Sequence, residues 1–346
     1  MITAVYFMIS FLLAVLLTAA VIPCLNRLGI VDIPNKRSSH QIPRPRGGGA
    51  AILATILVVV FVASRRGESL PGAGFGAGAF IVAVLGFWDD LRGGLSVKIR
   101  LAVQAAAAGL IIFFYGPILD FSMPEPFQFL PGMIGTLLAF LWIMGVTNIY
   151  NFLDGIDGYA GTQAVIAGVG LTLYCGAAGA GILGAAIAGA AAGFLIFNWH
   201  PARIFMGDVG AYGIGFLFAC VPFEYMGSKR VEMVMVVALL LWFFLADGAL
   251  TIFRRGLRRQ NMMQAHRSHI YQRLVKAGLR HDRVVMLGAA GMILVASAAV
   301  WGGKAYGIKG LCAAGGLAGV VFIAYYGSSL FAEHRWLASH EREVTG

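Results

Sequence analysis

Carboxylate and amide side chains recur where apolar runs of the sequence begin or end. Asp89 and Asp90 are adjacent, Asn148 and Asn151 are three residues apart, and Asp208 is flanked by glycines. Adjacent carboxylates repel each other and are costly near hydrocarbon, so they indicate a bound cation or a proton-transfer role. Oxygen ligands without thiol or imidazole fit Mg²⁺ or Mn²⁺ better than zinc. The pattern predicts a divalent-cation site completed by the oxygens of a substrate diphosphate.

The segment after Asn151 contains two further carboxylates, Asp154 and Asp157, each followed by glycine. Aspartate–glycine steps break helices, so a helix should end near Asn151. Asn148 and Asn151 should then lie on one face of that helix end. A plain C-cap turn is the structural alternative for this segment.

Structural alternatives exist for the other acids too. Asp89 and Asp90 could form a solvated loop end, and Asp208 could be an N-cap. Asp247 lies inside a later apolar run, where a carboxylate is a functional candidate, with a salt bridge to a nearby arginine as the alternative.

Two basic segments suit phosphate. Arg46 precedes a run of three glycines, which would supply positive charge and free backbone N–H groups, although a basic anchor is the alternative. The chain contains no Walker motif. His266-Arg267-Ser268-His269 is an H-x-x-H pair without the H-E-x-x-H pattern or a nearby third ligand, so phosphate binding by Arg267 is favoured over zinc.

Composition identifies the solvent of these elements. Of 346 residues, 59% are hydrophobic and only 12% are charged, and the mean hydropathy is +0.80. These values exclude a soluble multidomain protein and predict an all-α polytopic membrane protein, in which the 47 glycines permit close helix packing. The apolar runs predict about eleven transmembrane helices, at 3–23, 48–63, 71–88, 101–119, 131–150, 160–178, 180–197, 209–227, 233–253, 284–303 and 308–327.

The net charge of +10 is explained by orientation in the membrane and not by nucleic-acid binding. Twenty of the 26 lysines and arginines fall in alternate connections, which the positive-inside rule places in the cytoplasm. The amino terminus should then be outside and the carboxyl terminus inside. We expect one membrane domain, 1–346, with five cytoplasmic active-site loops at 24–47, 89–100, 151–159, 198–208 and 254–283.

The ordered motifs resemble one family. They are Arg46-Gly47-Gly48, Asp89-Asp90, Ser96-x-Lys98, Asn148-x-x-Asn151-Phe152-x-Asp154-Gly155-x-Asp157-Gly158, Phe205-Met206-Gly207-Asp208-x-Gly210 and His266-Arg267-Ser268-His269. Together they are similar to the polyprenyl-phosphate N-acetylhexosamine-1-phosphate transferases of glycosyltransferase family 4. The resemblance covers nearly the whole chain.

The resemblance implies that an undecaprenyl phosphate oxygen attacks the sugar-proximal phosphorus of a UDP-N-acetylhexosamine, releasing UMP. It implies Mg²⁺, with Mn²⁺ as a substitute, on Asn151 and Asp208. Asp89, Asp90 and Asp208 would be catalytic. Substrate binding would fall to Arg46, Lys98, Asn148, Asp154, Asp157, His266, Arg267 and His269. The expected location is the bacterial inner membrane with the site facing the cytoplasm, and the expected partners are both substrates, the bilayer and a second copy in a homodimer.

The last loop separates branches of the family. The peptidoglycan enzyme carries a triple histidine where this chain has His266-Arg267-Ser268-His269. This motif is similar to that of the enzymes that initiate the synthesis of O-antigen, in lipopolysaccharide biosynthesis, and of common antigen. The donor stays open among UDP-GlcNAc, UDP-GalNAc and a UDP-6-deoxy-N-acetylhexosamine. The alternatives are the phospho-N-acetylmuramoyl-pentapeptide transferase, an inactive scaffold of the same fold, and a lipid-linked sugar flippase. A flippase predicts charges at the bilayer midplane, whereas most acids here gather at one face.

Overall fold

A computed structural model describes residues 2–34, 42–68, 70–118, 129–177, 179–260 and 268–345, and the side chains of all of these except 129–131 and 337–345. The described part is almost entirely helical. Its helices are α1 Ile2–Arg27, α2 Gly49–Arg65, α3 Ala73–Arg92, α4 Val97–Tyr115, α5 Phe129–Phe152, α6 Tyr159–Cys175, α7 Ala180–Asn198, α8 Gly207–Cys220, α9 Gly227–Leu240, α10 Trp242–Leu257, α11 Ile270–Lys276, α12 His281–Tyr306 and α13 Ile308–Thr345. A 3₁₀ turn follows α8 at Val221–Glu224, and the short strands β1 Val31–Asp32 and β2 Arg44–Pro45 pair in antiparallel fashion.

Seven of the described helices are long and apolar enough to cross a membrane, and an eighth span results if α9 and α10 count as one. This confirms a polytopic all-α membrane protein. Each of the eleven predicted runs coincides largely with helix, but α2 and α6 have only 17 residues each and α8 only 14. The number of eleven and the orientation therefore stay predictions.

The predicted span at 233–253 is not one straight helix. It divides at Leu241 into α9 and α10, which meet at 81°. In α10 the buried carboxylate of Asp247 accepts hydrogen bonds from the backbone N–H of Ile270, at 2.9 Å for Oδ2. These bonds satisfy a carboxylate that would be costly to bury without donors.

Small residues let α7 lie at the centre of the bundle. Its alanines and glycines are buried along nearly its whole length, and it packs against α1 on one side and α6 on another. At Gly193 a Cβ atom would collide with the backbone carbonyl of Phe11 on α1. Close backbone approach thus replaces large side chains as the packing device, as is common between membrane helices.

The ends of α3, α5 and α8 meet. Both α3 and α5 pack along α8, and α8 also contacts α2. The helix break predicted after Asn151 is confirmed, because α5 ends at Phe152 and α6 begins at Tyr159. These helix ends bring four of the five predicted loops to one place.

Candidate active site

Arg46 joins two carboxylates from different helices. Its Nε lies 2.7 Å from Oδ1 of Asp90 in the last turn of α3, and its Nη2 lies 2.7 Å from Oδ2 of Asp208 in the first turn of α8. Two planar N–H directions suit this bridge better than the single ammonium of a lysine would. Arg46 is therefore part of the acidic site itself, where it pairs with two carboxylates in addition to any phosphate that it binds.

Short backbone ladders fix the position of Arg46. Its N–H donates to the carbonyl of Ile30 at 3.1 Å, and Phe205 donates to the carbonyl of Pro45 at 2.9 Å. The first loop is thereby tied to the segment that precedes Asp208, so the Arg46–Asp208 pair follows from local backbone pairing.

Asp90 holds the start of α8. Its side chain is only 1% exposed, and its two oxygens accept from the backbone N–H groups of Asp208 at 2.9 Å and Val209 at 3.1 Å. A carboxylate at a helix N-terminus satisfies donors that lack a partner within the helix. Gly207 is required beside it, because its φ is +75° and a Cβ there would lie 2.5 Å from Asp90 Oδ2.

Asp208 is not the N-cap that the structural alternative predicts. Met206 occupies that position and Asp208 lies in the first turn of α8. Its Oδ1 accepts from Nδ2 of Asn151 at 2.8 Å, and its side chain is 13% exposed. Asp208 is the most accessible carboxylate of the three predicted catalytic acids.

Asp89 faces the same site from α3 but is fully buried. One oxygen accepts from the backbone N–H of Leu95, and the other lies 3.4 Å from Nη1 of Arg100. Arg100 also donates to the hydroxyl of Tyr212 at 3.2 Å. A side-chain hydrogen bond also links Asp89 to Asp208, which requires one of the two carboxyls to carry a proton. Such a pair needs a shared proton or a cation.

Asn148 does not join Asn151 at Asp208. Its Nδ2 donates to Oε1 of Gln104 at 2.6 Å and to the carbonyl of Met144 at 2.8 Å. The two asparagines thus point to different partners, although their spacing was predicted to put them on one face. Substrate binding by Asn148 stays a prediction.

Asp154 lies next to the cluster. Burial and the negative charge of Asp208 raise its pKa, an effect that Arg46 opposes, and the result is a pKa of about 7. Near neutral pH this carboxyl exists in both protonation states, as expected where several acids share limited positive charge.

Asp157 is held by two histidines. His200 Nδ1 lies 2.7 Å and His281 Nδ1 lies 3.3 Å from its Oδ2, and Ala202 donates its N–H to the same oxygen at 3.2 Å. Burial by itself would raise the pKa of Asp157, but hydrogen bonds with His281 and His200 outweigh burial and hold the pKa at about 2. Direct substrate binding by this carboxylate stays a prediction.

The described part of the fifth loop reaches the third loop. Asp247 Oδ1 lies 3.1 Å from Nδ1 of His269 and accepts from Thr251 Oγ1 at 3.1 Å. The hydroxyl of Tyr271 donates to the carbonyl of Phe152 at 3.1 Å. Asp247 thus sets the orientation of His269. His266 and Arg267 lie outside the described residues.

Lys98 stands apart from the acids. It is exposed in the first turn of α4, which begins after the N-cap Ser96, whose hydroxyl accepts from the N–H of Ile99 at 3.3 Å. Among the described residues, no hydrogen bond or ion pair engages its ammonium. It is available to an anion.

The donors present around Asp208 fit Mg²⁺ or Mn²⁺. Carboxylate and amide oxygens are the ligands these hard cations prefer, and no thiol or imidazole is among the described contacts of Asp208. Asn151 presents its Nδ2 to Asp208, so its Oδ1 would have to turn toward the site to bind a cation. The contact of Asp89 with Asp208 is an additional reason for a cation. Arg46 already supplies part of the positive charge.

Several residues of the site were not singled out by the sequence pattern. Arg100 and Tyr212 support Asp89, Tyr271 supports the third loop, and His200 and His281 hold Asp157. Their partners are far away in sequence, so spacing carries no signal. The only sequence hint was that all of them except Tyr212 lie in loops predicted on one membrane face.

Comparisons with known proteins show the family of this chain. Residues 73–225 match the family model described as glycosyl transferase family 4. The chain is 30% identical, over 86% of both chains, to the probable undecaprenyl-phosphate N-acetylglucosaminyl 1-phosphate transferase of Bacillus subtilis. It is 28% identical to the undecaprenyl-phosphate alpha-N-acetylglucosaminyl 1-phosphate transferase of Escherichia coli K12, over 80% of this chain and 77% of that one.

A third relative is the decaprenyl-phosphate N-acetylglucosaminephosphotransferase of Mycobacterium tuberculosis, 28% identical over 76% of this chain and 73% of the relative. Fold and site together define a class of protein: an all-helical membrane protein with a cluster of carboxylates at its helix ends. The chain belongs to the polyprenyl-phosphate N-acetylhexosamine-1-phosphate transferases of glycosyl transferase family 4.

Proposed function

We propose that the protein transfers an N-acetylhexosamine-1-phosphate from a UDP-sugar to undecaprenyl phosphate. A phosphate oxygen of the lipid forms a bond to the sugar-proximal phosphorus, the bond from that phosphorus to the bridging oxygen breaks, and UMP leaves. The observation that carries the proposal is the cluster in which Asn151 and Arg46 both bind Asp208. The names of the relatives in Bacillus subtilis and Escherichia coli support the same chemistry.

Charge explains why such a cluster suits this reaction. Two anionic substrates must approach, and negative charge grows on the bridging oxygen as UMP leaves. Bound to Asp208 and Asn151, Mg²⁺ would neutralise phosphate charge and polarise the phosphorus that is attacked. The second pKa of a phosphate monoester is near 6, so the acceptor is mostly ionised at neutral pH and needs no strong base.

The side chains of the chain divide the remaining work. Asp208 is the most accessible of the three proposed catalytic acids and would face the reacting groups. Asp90 positions Asp208 by accepting a hydrogen bond from the backbone of the first turn of α8. Asp89 is the third proposed catalytic acid, and Arg100 balances the negative charge of Asp89. Lys98, with its exposed ammonium, is suited to one substrate phosphate.

Arg267 and the histidines of the fifth loop are proposed to hold the donor. His269 is oriented by Asp247, and Arg267 and His266 follow the resemblance. Asn148, Asp154 and Asp157 complete the proposed substrate contacts.

We further propose the setting of this reaction. The basic connections support a site on the cytoplasmic face of a bacterial inner membrane. The N-acetylglucosamine in the names of several relatives supports UDP-GlcNAc as the first donor to test. The His266-Arg267-Ser268-His269 motif supports a role in starting the synthesis of O-antigen or a related envelope glycan. We propose separately that the enzyme acts as a homodimer.

The test is UMP release by the purified protein in detergent. Undecaprenyl phosphate, Mg²⁺ and one donor from a panel (UDP-GlcNAc, UDP-GalNAc and a UDP-6-deoxy-N-acetylhexosamine) are supplied, with EDTA and no-lipid controls. We expect UMP from one donor, only with lipid present and EDTA absent. UMP formation that ignores the lipid, or no UMP from any donor, would contradict the proposal.

A further inference from the structure

Three side chains from three connections meet beside the acidic cluster. Asp157 comes from the segment between α5 and α6, His200 from the segment between α7 and α8, and His281 is the first residue of α12. One potential ligand atom from each side chain lies within 4.8 Å of the other two. Among the described residues, this is the one group of three or more histidine, cysteine or acidic side chains with such geometry.

Hydrogen bonding explains only part of this arrangement. Nδ1 of His281 lies 3.4 Å from the backbone N–H of Asp157, from which it can accept only when it carries no proton. The same nitrogen lies 3.3 Å from the carboxylate oxygen Oδ2 of Asp157. With a proton, Nδ1 can donate to Oδ2 but cannot accept from the N–H, and without a proton the reverse holds, so hydrogen bonding always leaves one contact unsatisfied. A cation bound by both Nδ1 and Oδ2 is a third arrangement that uses both ligand atoms.

The ligand set matches a particular kind of cation. Two imidazoles and one carboxylate with a fourth, open position form a pattern typical of zinc, which binds nitrogen at about 2.0–2.1 Å and oxygen at about 2.0–2.2 Å. Ligand atoms around a tetrahedral ion of that size are roughly 3.3 Å apart. The separation between His281 and Asp157 already has this value, and the 2.7 Å between His200 and Asp157 would lengthen by about half an ångström.

Partial exposure of one ligand leaves the fourth coordination position open. Asp157 and His281 are buried, whereas the side chain of His200 is 28% exposed, so an ion could enter past His200 and keep one water. We propose that Asp157, His200 and His281 form a zinc site, distinct from the oxygen-donor site at Asp208. Different ligand chemistry keeps the two apart, since imidazole selects zinc over Mg²⁺.

The position of the site predicts what the ion does. The segment with Asp157 follows Asn151, and the segment with His200 leads to Asp208. A metal on Asp157, His200 and His281 would clamp both segments to α12. Its contribution is therefore structural and does not depend on the proposed transfer reaction.

The experiment uses Co²⁺ as a spectroscopic substitute for zinc, added to full-length detergent-purified protein that carries no histidine tag. We expect one equivalent of Co²⁺ with visible absorption bands of a four-coordinate nitrogen–oxygen site, which one equivalent of Zn²⁺ removes. His200→Gln and His281→Gln should each weaken Co²⁺ binding at least about 100-fold, because even indirect changes around a metal cost 10–100-fold.

Matched variants separate this site from other histidines. His334→Gln changes an exposed histidine on α13 and should leave Co²⁺ binding unchanged, as should His266→Gln in the H-x-x-H pair. Asp208→Asn should also retain Co²⁺, which distinguishes the site from the magnesium site. If the wild type binds no more Co²⁺ than His281→Gln, or if only His266→Gln loses the ion, the proposal is overturned. His200→Gln, at the partly exposed ligand, serves if His281→Gln does not fold.

Discussion

The guanidinium of Arg46 lies 2.7 Å from Asp90 through Nε and 2.7 Å from Asp208 through Nη2. One side chain of the first loop therefore fixes the ends of two helices relative to each other. Asp90 is buried and bonded to the start of α8, so the more accessible partner in this arrangement is Asp208, whose side chain is 13% exposed. Arg46 therefore has a structural role in the site, and Asp208 is the acid of the site that is most accessible to a substrate.

Replacing Asp208 should stop catalysis without unfolding the protein. Asp208→Asn keeps the shape but removes the charge that would bind Mg²⁺, so kcat should fall at least about 100-fold. The melting temperature should fall no further than in Arg46→Lys, because only the charge of the Arg46–Asp208 pair is lost and Asp90 still holds the start of α8. UMP release and thermal unfolding in detergent measure the two quantities. Asp282→Asn, the same change at an acid paired with Arg280, is the control, and equal activity of both variants would exclude the role given to Asp208.

Replacing Arg46 by lysine should be costly although the charge is kept. An ammonium can reach Asp90 or Asp208 but cannot reproduce both directions of the guanidinium. Loss of one charge-assisted hydrogen bond should lower the free energy of unfolding by about 1.5–3 kcal/mol and reduce kcat. Arg66→Lys, at an exposed arginine, is the matched control. Chemical denaturation that gives Arg46→Lys and Arg66→Lys the same stability would show that the bridge is not formed in solution.

Asp154 should make stability depend on pH. Its pKa is raised to about 7 in the folded protein, by burial first and then by the charge of Asp208, from an ordinary value of 3.8. The folded state thus holds this proton more tightly than the unfolded state does. The contribution to stability is complete below about pH 3.8 and is lost progressively as the pH rises to about 7.

Asp154→Asn removes this loss. In EDTA, the melting temperature of the variant relative to wild type should therefore be higher at pH 8 than at pH 5. Added Mg²⁺ should shrink the difference, because a cation in the cluster favours the ionised carboxyl. A difference that is constant from pH 5 to pH 8 would show that the pKa of Asp154 is not raised.

Asp247 should act through the fifth loop. Asp247→Asn places an amide NH₂ where the backbone N–H of Ile270 and the ring of His269 now meet a carboxylate. Leaving such donors unsatisfied should cost about 1–3 kcal/mol of stability. The KM for the UDP-sugar should rise more than kcat falls, since His269 is proposed to hold the donor. Unchanged KM and stability would contradict this positioning role.

The sequence was informative where chemistry and local order coincide. The apolar runs predicted the helices, the aspartate–glycine steps predicted the end of α5, and the motifs predicted the acids that meet at Asp208. These features are encoded within a few residues of each other or in residue type alone.

Long-range geometry was not predictable in the same way. The spacing of Asn148 and Asn151 could not show that Gln104 of another helix would take the first amide. The apolar pattern also showed neither the bend at Leu241 nor the hydrogen bond between Asp247 and Ile270, which are 23 residues apart. Such outcomes depend on which helices become neighbours, and no periodicity of the sequence carries that information.

The most direct test of the central claim follows the phosphorus atom. The protein is incubated with undecaprenyl phosphate, Mg²⁺ and UDP-GlcNAc, or the donor found active in the panel, labelled with ³²P at the sugar-proximal phosphate. Transfer of sugar-1-phosphate predicts that the label moves into the organic-soluble lipid while unlabelled UMP is released, and that Asp208→Asn does neither. Label that stays in water-soluble UDP while the sugar moves to lipid, or that never leaves the donor, would contradict the account.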